Sequence, residues 1–242
     1  MKYKMIFSYD GSKYFGYAVQ GNEEKTIQNV LEKSLSIILN TNIKIYASGR
    51  TDKGVHALNQ VATFDLNNKV ELKKLKHSLN KMLPNDIYVK KISKVDDSFN
   101  ARFSAKSKSY LYILNIGEYN PFLRNYEYLV KDLDIKEMKK CAKLFIGEHC
   151  FKNFSSKKED QDNFIRTIYK ITFKVSKDHI LIEFKGNGFM KYMVRKLMGA
   201  IIEVGKKHIS LKYVQDLLNK EKREIITYTA PPHGLFLKKV EY

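Results

Sequence analysis

The sequence predicts an α+β protein built from two split β-α-β units, each with a mainly antiparallel sheet flanked by helices. Short segments alternate apolar and polar residues with period two, as strands do, and longer ones carry apolar stripes of period 3.6, as helices do. The resulting order, β-α-β-β-α-β, occurs once in each half of the chain, which is the split-βαβ or ferredoxin-like pattern. At 242 residues and 43% apolar content, the chain has room for one large or two small domains with a real core.

The first unit opens with "YKMIFSY", where Tyr3, Met5, Phe7 and Tyr9 share one face. "DGSKYFG" follows as a loop. "TIQNVLEKSLSIIL" places Ile27, Val30, Leu31, Leu35, Ile38 and Leu39 on one helical stripe behind Thr26, a hydroxyl residue suited to an N-cap. "TNIKIYA" and "QVATFDL" are the next two strands. "ELKKLKHSLNKML" is a helix that stops before Pro84, because the residue preceding a proline is pushed out of helical conformation. "DIYVKKISKV" closes the unit.

The second unit begins with the strand "AKSKSYLYILNI" and the helix "DIKEMKKCAKLFI", capped by Asp134. "FIRTIYKITFKV" and "HILIEFK" are strands. A long helix, "FMKYMVRKLMGAIIEVG", turns Met190, Met193, Val194, Leu197, Ile201 and Ile202 to its apolar side. "SLKYVQDLLN" adds a short helix and "GLFLKKVEY" a closing strand. The boundary between units falls in "DDSFNARFSAKS", dividing 1–103 from 104–242.

Charge narrows the partner. Lys and Arg number 44 against 26 Asp and Glu, a net +18 that suits a polyanion such as nucleic acid. A membrane partner is disfavoured: the start "MKYKMIFSYDGSKY" has no sustained apolar run, and no stretch approaches a spanning helix. Cys141 and Cys150 are too few for a disulfide framework, so a reducing, cytoplasmic setting is expected. His149 beside Cys150 lacks a second pair at zinc spacing, so packing and loop contacts are expected there, and no metal.

Two stretches stand out chemically. "KGNGFMKY" has the Lys-Gly-x-Gly-Phe spacing of an RNA-recognition strand, but Asn187 occupies the place of a stacking aromatic and the residues after Phe189 follow helical spacing. Its glycines are expected to shape a strand-to-helix turn instead. "ASGRTDKGVHA", Ala47 to Ala57, gathers Arg50, Asp52, Lys53 and His56 in one tight loop between strands. By residue type alone, an aspartate in a glycine-rich loop is most often a turn former.

The loop does not stand alone. "SGRTDKGVHALNQVATFD" closely resembles the signature of the tRNA pseudouridine synthase A family. "YDGSKYFGY" resembles that family's first strand and loop, "ARFSAKSKSYLYIL" its central tyrosine strand, "GNGFMKYMVRKLMGAIIEVG" its arginine helix, and "APPHGLFLKKVEY" its C-terminal strand. The matches occur in family order over nearly the whole chain, and they imply the pseudouridine synthase fold.

The resemblance implies a reaction. Uridine in tRNA is isomerised to pseudouridine: the C1′–N1 bond breaks, the uracil turns, and C1′ bonds to C5. Nothing is gained or lost overall, so no cofactor is expected. Asp52 is implied as the catalytic aspartate, nucleophile or base, kept ionised by nearby cations. Arg195 is implied as its salt-bridge partner, and Tyr110 as the ring that packs on the target base. Arg50 is implied beside the nucleotide, helping to extrude it. Tyr110 and Tyr112 are expected to part, one to the core and one to the cleft, and the resemblance selects Tyr110 for the cleft. Asp52 and Arg195 come from different half-chains, so the active site is expected where the two meet. His56 is expected to be structural or to touch RNA.

Candidate RNA contacts are Lys13, Arg50, Lys53, Arg102, Lys106, Lys108 and Tyr110, with the lysines of "VRKLM" and "EVGKKH". The family implies positions 38 to 40 of the anticodon stem-loop as targets, and a homodimer. Departures are Tyr17, where the family usually has Trp, and Ser109, where a basic residue is frequent; both are expected at the rim. Alternatives are a synthase with shifted RNA targets and a non-catalytic RNA-binding protein of the same fold.

Overall fold

The computed structural model describes residues 1–19, 21, 25–156 and 163–242. The chain forms two compact units, residues 1–106 with 236–242, and residues 107–235.

The first unit contains β1 (Lys2–Tyr9), α1 (Ile27–Leu39), β2 (Tyr46–Ala47), β3 (His56–Asp65), α2 (Leu72–Met82) and β4 (Ile87–Val95). The second contains β5 (Ser107–Asn115), β6 (Tyr128–Leu129), α3 (Ile135–Leu144), β7 (Gly147–Cys150), β8 (Ile165–Val175), β9 (His179–Gly186), α4 (Met193–Gly205) and α5 (Leu211–Asn219). The last strand, β10 (Leu235–Glu241), returns to the first unit. There it runs parallel to β3, with Phe236 opposite His56 and Leu237 opposite Ala57.

In the first unit β1 lies antiparallel between β3 and β4. Its burial alternates residue by residue, so Tyr3, Met5, Phe7 and Tyr9 face the core as the period of two requires. Thr26 caps α1, accepting from the Asn29 amide at 3.3 Å. The buried face of α1 differs from the apolar stripe: Glu32 and Ser34 are buried with Ile27, Leu31 and Leu35, while Val30, Ile38 and Leu39 are half-buried. Glu32 is there because it has work for both oxygens. Oε1 accepts from the Ile45 amide at 3.0 Å and the Gln28 side chain at 2.9 Å, and Oε2 meets Lys44 at 3.1 Å.

That pairing also explains a second difference. "TNIKIYA" contracts to the two residues of β2, paired antiparallel with β3. The Ile45 amide goes to Glu32 and the Ile43 amide to the Ser36 hydroxyl at 2.9 Å, so α1 side chains satisfy backbone donors that a longer ladder would have used. α2 buries Leu75 and Leu79 and ends just before Pro84, as expected.

In the second unit the strand order is β5-β9-β8-β7, antiparallel throughout, with β6 parallel to the end of β5. Asp134 caps α3 through the Lys136 and Glu137 amides, and Ser210 caps α5. α4 is buried nearly all round. It starts at Met193, not at Phe189, because Tyr192 adopts a left-handed conformation that breaks the helical run. Met190 is buried but lies in the link before the helix. β6 and β7 are short and lack apolar alternation, so periodicity gave no sign of them. His149 and Cys150 lie in β7, where His149 bonds to the Ile146 carbonyl and meets the Phe151 ring edge-on at 5.7 Å.

Among the described residues, no helix is long and apolar enough to cross a membrane, and no group of three or more His, Cys, Asp or Glu could hold a metal ion.

Candidate active site

The loop from Ser48 to Val55 is fixed at both ends and from below. At its entry the Ser48 amide bonds to the Val61 carbonyl at 2.8 Å. Buried Gln60 accepts from the Ser48 hydroxyl at 2.9 Å and donates to the Gly49 carbonyl at 3.0 Å. At its tip the Val55 amide donates to the Asp52 carbonyl at 3.1 Å, and Gly54 supplies the positive φ of 77° that closes the turn. Asp52 is half-buried on this turn, between buried Thr51 and exposed Lys53, with Arg50 exposed beside them.

The segment from Gly11 to Tyr17 lies against the loop. The Tyr17 amide donates to the Thr51 carbonyl at 3.1 Å. The Tyr9 and Thr51 hydroxyls meet at 2.7 Å. Burial pushes the Tyr9 phenol up to about 12, while its bonds to Thr51 and Gln60 pull the other way, so the hydroxyl keeps its proton at neutral pH. Gly16, at φ +95°, is so close that a Cβ there would stand 2.9 Å from the Thr51 carbonyl oxygen and 3.2 Å from the Lys53 amide nitrogen. The Lys53 ammonium sits 4.1 Å from the Phe15 ring centroid, a cation–π contact.

One open alternative is decided here and one expectation is corrected. His56 is buried in the first position of β3, stacked on Phe236 at 4.6 Å, with Nδ1 3.1 Å from both the Asp10 carboxylate and the Gly11 amide. It is a structural residue tying the first loop to β3. Tyr17 is not at a rim: it is 2% exposed and packs on Phe7 and Tyr9, each at 6.4 Å between ring centroids. Ser109 is likewise buried.

In the second unit, Tyr110 and Tyr112 share one face of β5, both buried; residues two apart on a strand cannot part to opposite faces. They differ in partners. The Tyr110 ring meets Phe189 edge-on at 5.2 Å. The Tyr112 hydroxyl donates to the Pro231 carbonyl at 2.8 Å, and burial pushes its pKa well up. Arg195 is half-buried on the first turn of α4. Its Nε donates to the Ala230 carbonyl at 2.8 Å, and the Ala230 amide returns a bond to the Arg195 carbonyl at 2.9 Å. The neighbouring Lys196 is buried, with Nζ 2.6 Å from the Ile226 carbonyl; burial and then the Arg195 charge lower its pKa. The 226–231 segment is thus strapped to α4 by two cations. Phe189 on Tyr110 and Tyr192 on Arg195 join both residues through one link, 189–192.

The remaining RNA-contact candidates are spread over both units. Lys13, Arg102 and Lys106 are exposed on the first, and Lys108 is half-buried on the second. Asp52 belongs to the first unit, and Tyr110 and Arg195 to the second. Residue-type reasoning missed Tyr9, Thr51, Gln60 and Gly16 as supports of the Asp52 loop. The only signals were a glycine in each loop and polar residues at inward positions.

The model of the tRNA pseudouridine synthase family matches residues 5–104 and 141–242, which hold the Asp52 loop and the Arg195 helix. This chain belongs to that family. Relatives align from end to end. "tRNA pseudouridine synthase A 2" of Bacillus anthracis is 39% identical over 242 residues, 99% of each chain. "tRNA pseudouridine synthase A" of Thermosipho africanus is 42% identical over 242 residues, 99% of this chain and 98% of that one. The protein of the same name from Thermoanaerobacter pseudethanolicus is 41% identical over 240 residues, 98% of each. The sheets, helices and caps described above are therefore those of a pseudouridine synthase family member.

Proposed function

We propose that this chain isomerises uridine to pseudouridine in the anticodon stem-loop of tRNA, at positions 38 to 40, with Asp52 as the nucleophile or base. The observation that carries the proposal is the placement of Asp52. A carboxylate stands on a turn whose ends, floor and neighbours are all pinned, inside a stretch that the family model covers. A reaction that must break C1′–N1, turn the base and form C1′–C5 needs a carboxylate held still while the base moves. The C5 hydrogen leaves to solvent and N1 gains a proton, so atoms balance without a cofactor.

Tyr110 is proposed to pack on the target base and Arg195 to serve as the charge partner of Asp52. Arg50 and Lys53 are proposed at the flipped nucleotide, with Lys13, Arg102, Lys106 and Lys108 on phosphates. The net charge of +18 supports an RNA polyanion as substrate. A cytoplasmic homodimer completes the proposal; the two free cysteines fit a reducing compartment.

The test has two arms. Asp52→Ala and Asp52→Asn should abolish C5-hydrogen release from uridine-labelled tRNA while leaving tRNA affinity within a few-fold, since phosphate contacts dominate binding. Pseudouridine mapping in cells lacking the protein should show loss at positions 38 to 40. Turnover by either variant removes Asp52 from the chemistry. Loss at other positions instead would mean shifted targets, and no loss anywhere a non-catalytic RNA binder.

A further inference from the structure

Tyr192 occupies an expensive place. Its φ of 60° and ψ of 0° put a bulky aromatic residue in the left-handed region, which costs about 1–2 kcal/mol for a residue with a Cβ. It is the N-cap of α4, yet its side chain makes no capping bond. Thr26, Asp134 and Ser210 do make that bond at the starts of α1, α3 and α5. Helix stability therefore does not account for Tyr192: Asn would tolerate the backbone better and could also cap.

What the residue does is stack on Arg195. The Arg195 guanidinium carbon lies 4.8 Å from the Tyr192 ring centroid. Ring and guanidinium are three residues apart, one turn of helix, and the Tyr192 carbonyl meanwhile accepts the Lys196 amide at 2.9 Å. The Nε edge of the same guanidinium is taken by the Ala230 carbonyl. The 226–231 strap that provides this carbonyl is itself fixed: Lys196 holds Ile226, and at Gly199 an added Cβ would come within 2.7 Å of the Tyr228 carbonyl oxygen. A planar cation held by one edge and one face has its plane determined.

We infer that Tyr192 is a positioning residue for Arg195: its ring and the Ala230 carbonyl together fix the guanidinium plane, and the left-handed backbone at Tyr192 is retained to put the ring there. Its relevance to turnover rests on the role proposed above for Arg195. A lysine at 195 would lose both constraints, having neither a planar face to stack nor an Nε–H to anchor.

Full-length Tyr192→Phe and Tyr192→Asn variants test this, with Arg195→Lys beside them. Two readouts are needed: steady-state kinetics on tRNA, and the Arg195 Nε–H resonance with its exchange protection by nitrogen-15 NMR. Tyr192→Phe keeps the ring and should match the parent in both. Tyr192→Asn keeps the backbone conformation and loses the ring. Its melting temperature should hold or rise, KM should stay within about two-fold, kcat should fall roughly three- to thirty-fold for a lost cation–π contact, and the Nε–H should lose protection. A merely structural role would lower the melting temperature and leave the resonance in place.

An unchanged Nε–H in Tyr192→Asn overturns the inference, as does an unchanged kcat while Arg195→Lys loses turnover. Equal losses in Phe and Asn would also overturn it, by assigning the effect to the hydroxyl. If instead Arg195→Lys keeps full turnover, the proposed role of Arg195 fails, and the resonance still decides whether Tyr192 positions it.

Discussion

Gly16→Ala should damage the Asp52 loop without touching any side chain of the proposed chemistry. Two costs combine. The backbone at φ +95° is one that a residue with a Cβ adopts only under strain, about 1–3 kcal/mol. The new methyl would also stand 2.9 Å from the Thr51 carbonyl oxygen, about 0.5 Å short of ordinary contact, and the atom in the way is backbone. Residues 51–53 cannot retreat freely, because Tyr9 holds the Thr51 hydroxyl and the Tyr17 amide holds its carbonyl.

The expected loss of stability is about 2–4 kcal/mol, or roughly 4–16 °C in melting temperature for a chain of this size. A loop displaced by about half an ångström should lower kcat on the order of tenfold, with KM for tRNA nearly unchanged. Gly21→Ala is the control: its φ of +49° is strained too, but among the described residues no atom lies within 4 Å of the added Cβ. Calorimetry and C5-hydrogen release on both variants give the comparison. If Gly16→Ala matched Gly21→Ala in melting temperature and kept parental kcat, the close approach to Thr51 would not be what holds Asp52 in place.

Other outcomes follow from single contacts. Glu32→Ala should cost about 1–3 kcal/mol in urea denaturation, because it strands the buried Ile45 amide; Glu32→Gln, which can still accept, should recover part of it. Raising pH should destabilise the fold. The Cys141 thiol is pushed from 9.0 to about 12 by burial, and the Tyr9 phenol from 10.0 to about 12. Their neutral forms contribute fully below the unfolded values, and that contribution is lost as pH rises from about 9 through 12. Urea midpoints should therefore fall over that window, and Cys141→Ala should flatten the part that begins near pH 9. If several phosphates are contacted, log affinity for tRNA should fall by about 0.7–0.9 per contact for each decade of salt; a flat response in filter binding would make the +18 charge a generic surface.

The sequence by itself determined what is local or periodic. Alternation along β1, the Thr26 and Asp134 caps and the stop before Pro84 each depend on a few neighbouring residues, and all are present. So does the family, because its motifs are short runs in a fixed order. Tertiary structure decided whatever depends on a partner far along the chain. β2 contracts because Glu32 and Ser36, on a helix 13 and 7 residues earlier, take its donors. β10 joins β3 in the first unit although it closes the second half of the sequence, since strand pairing is set by register and not by order. Tyr17 became core and His56 a buried strut because Phe7, Tyr9, Asp10 and Phe236 surround them. Asp52 stands out as a candidate from its motif. The hydroxyl of Tyr9, the amide of Tyr17 and the missing side chain of Gly16, which hold its loop, are 35 to 43 residues from it in sequence, and only folding brings them to it.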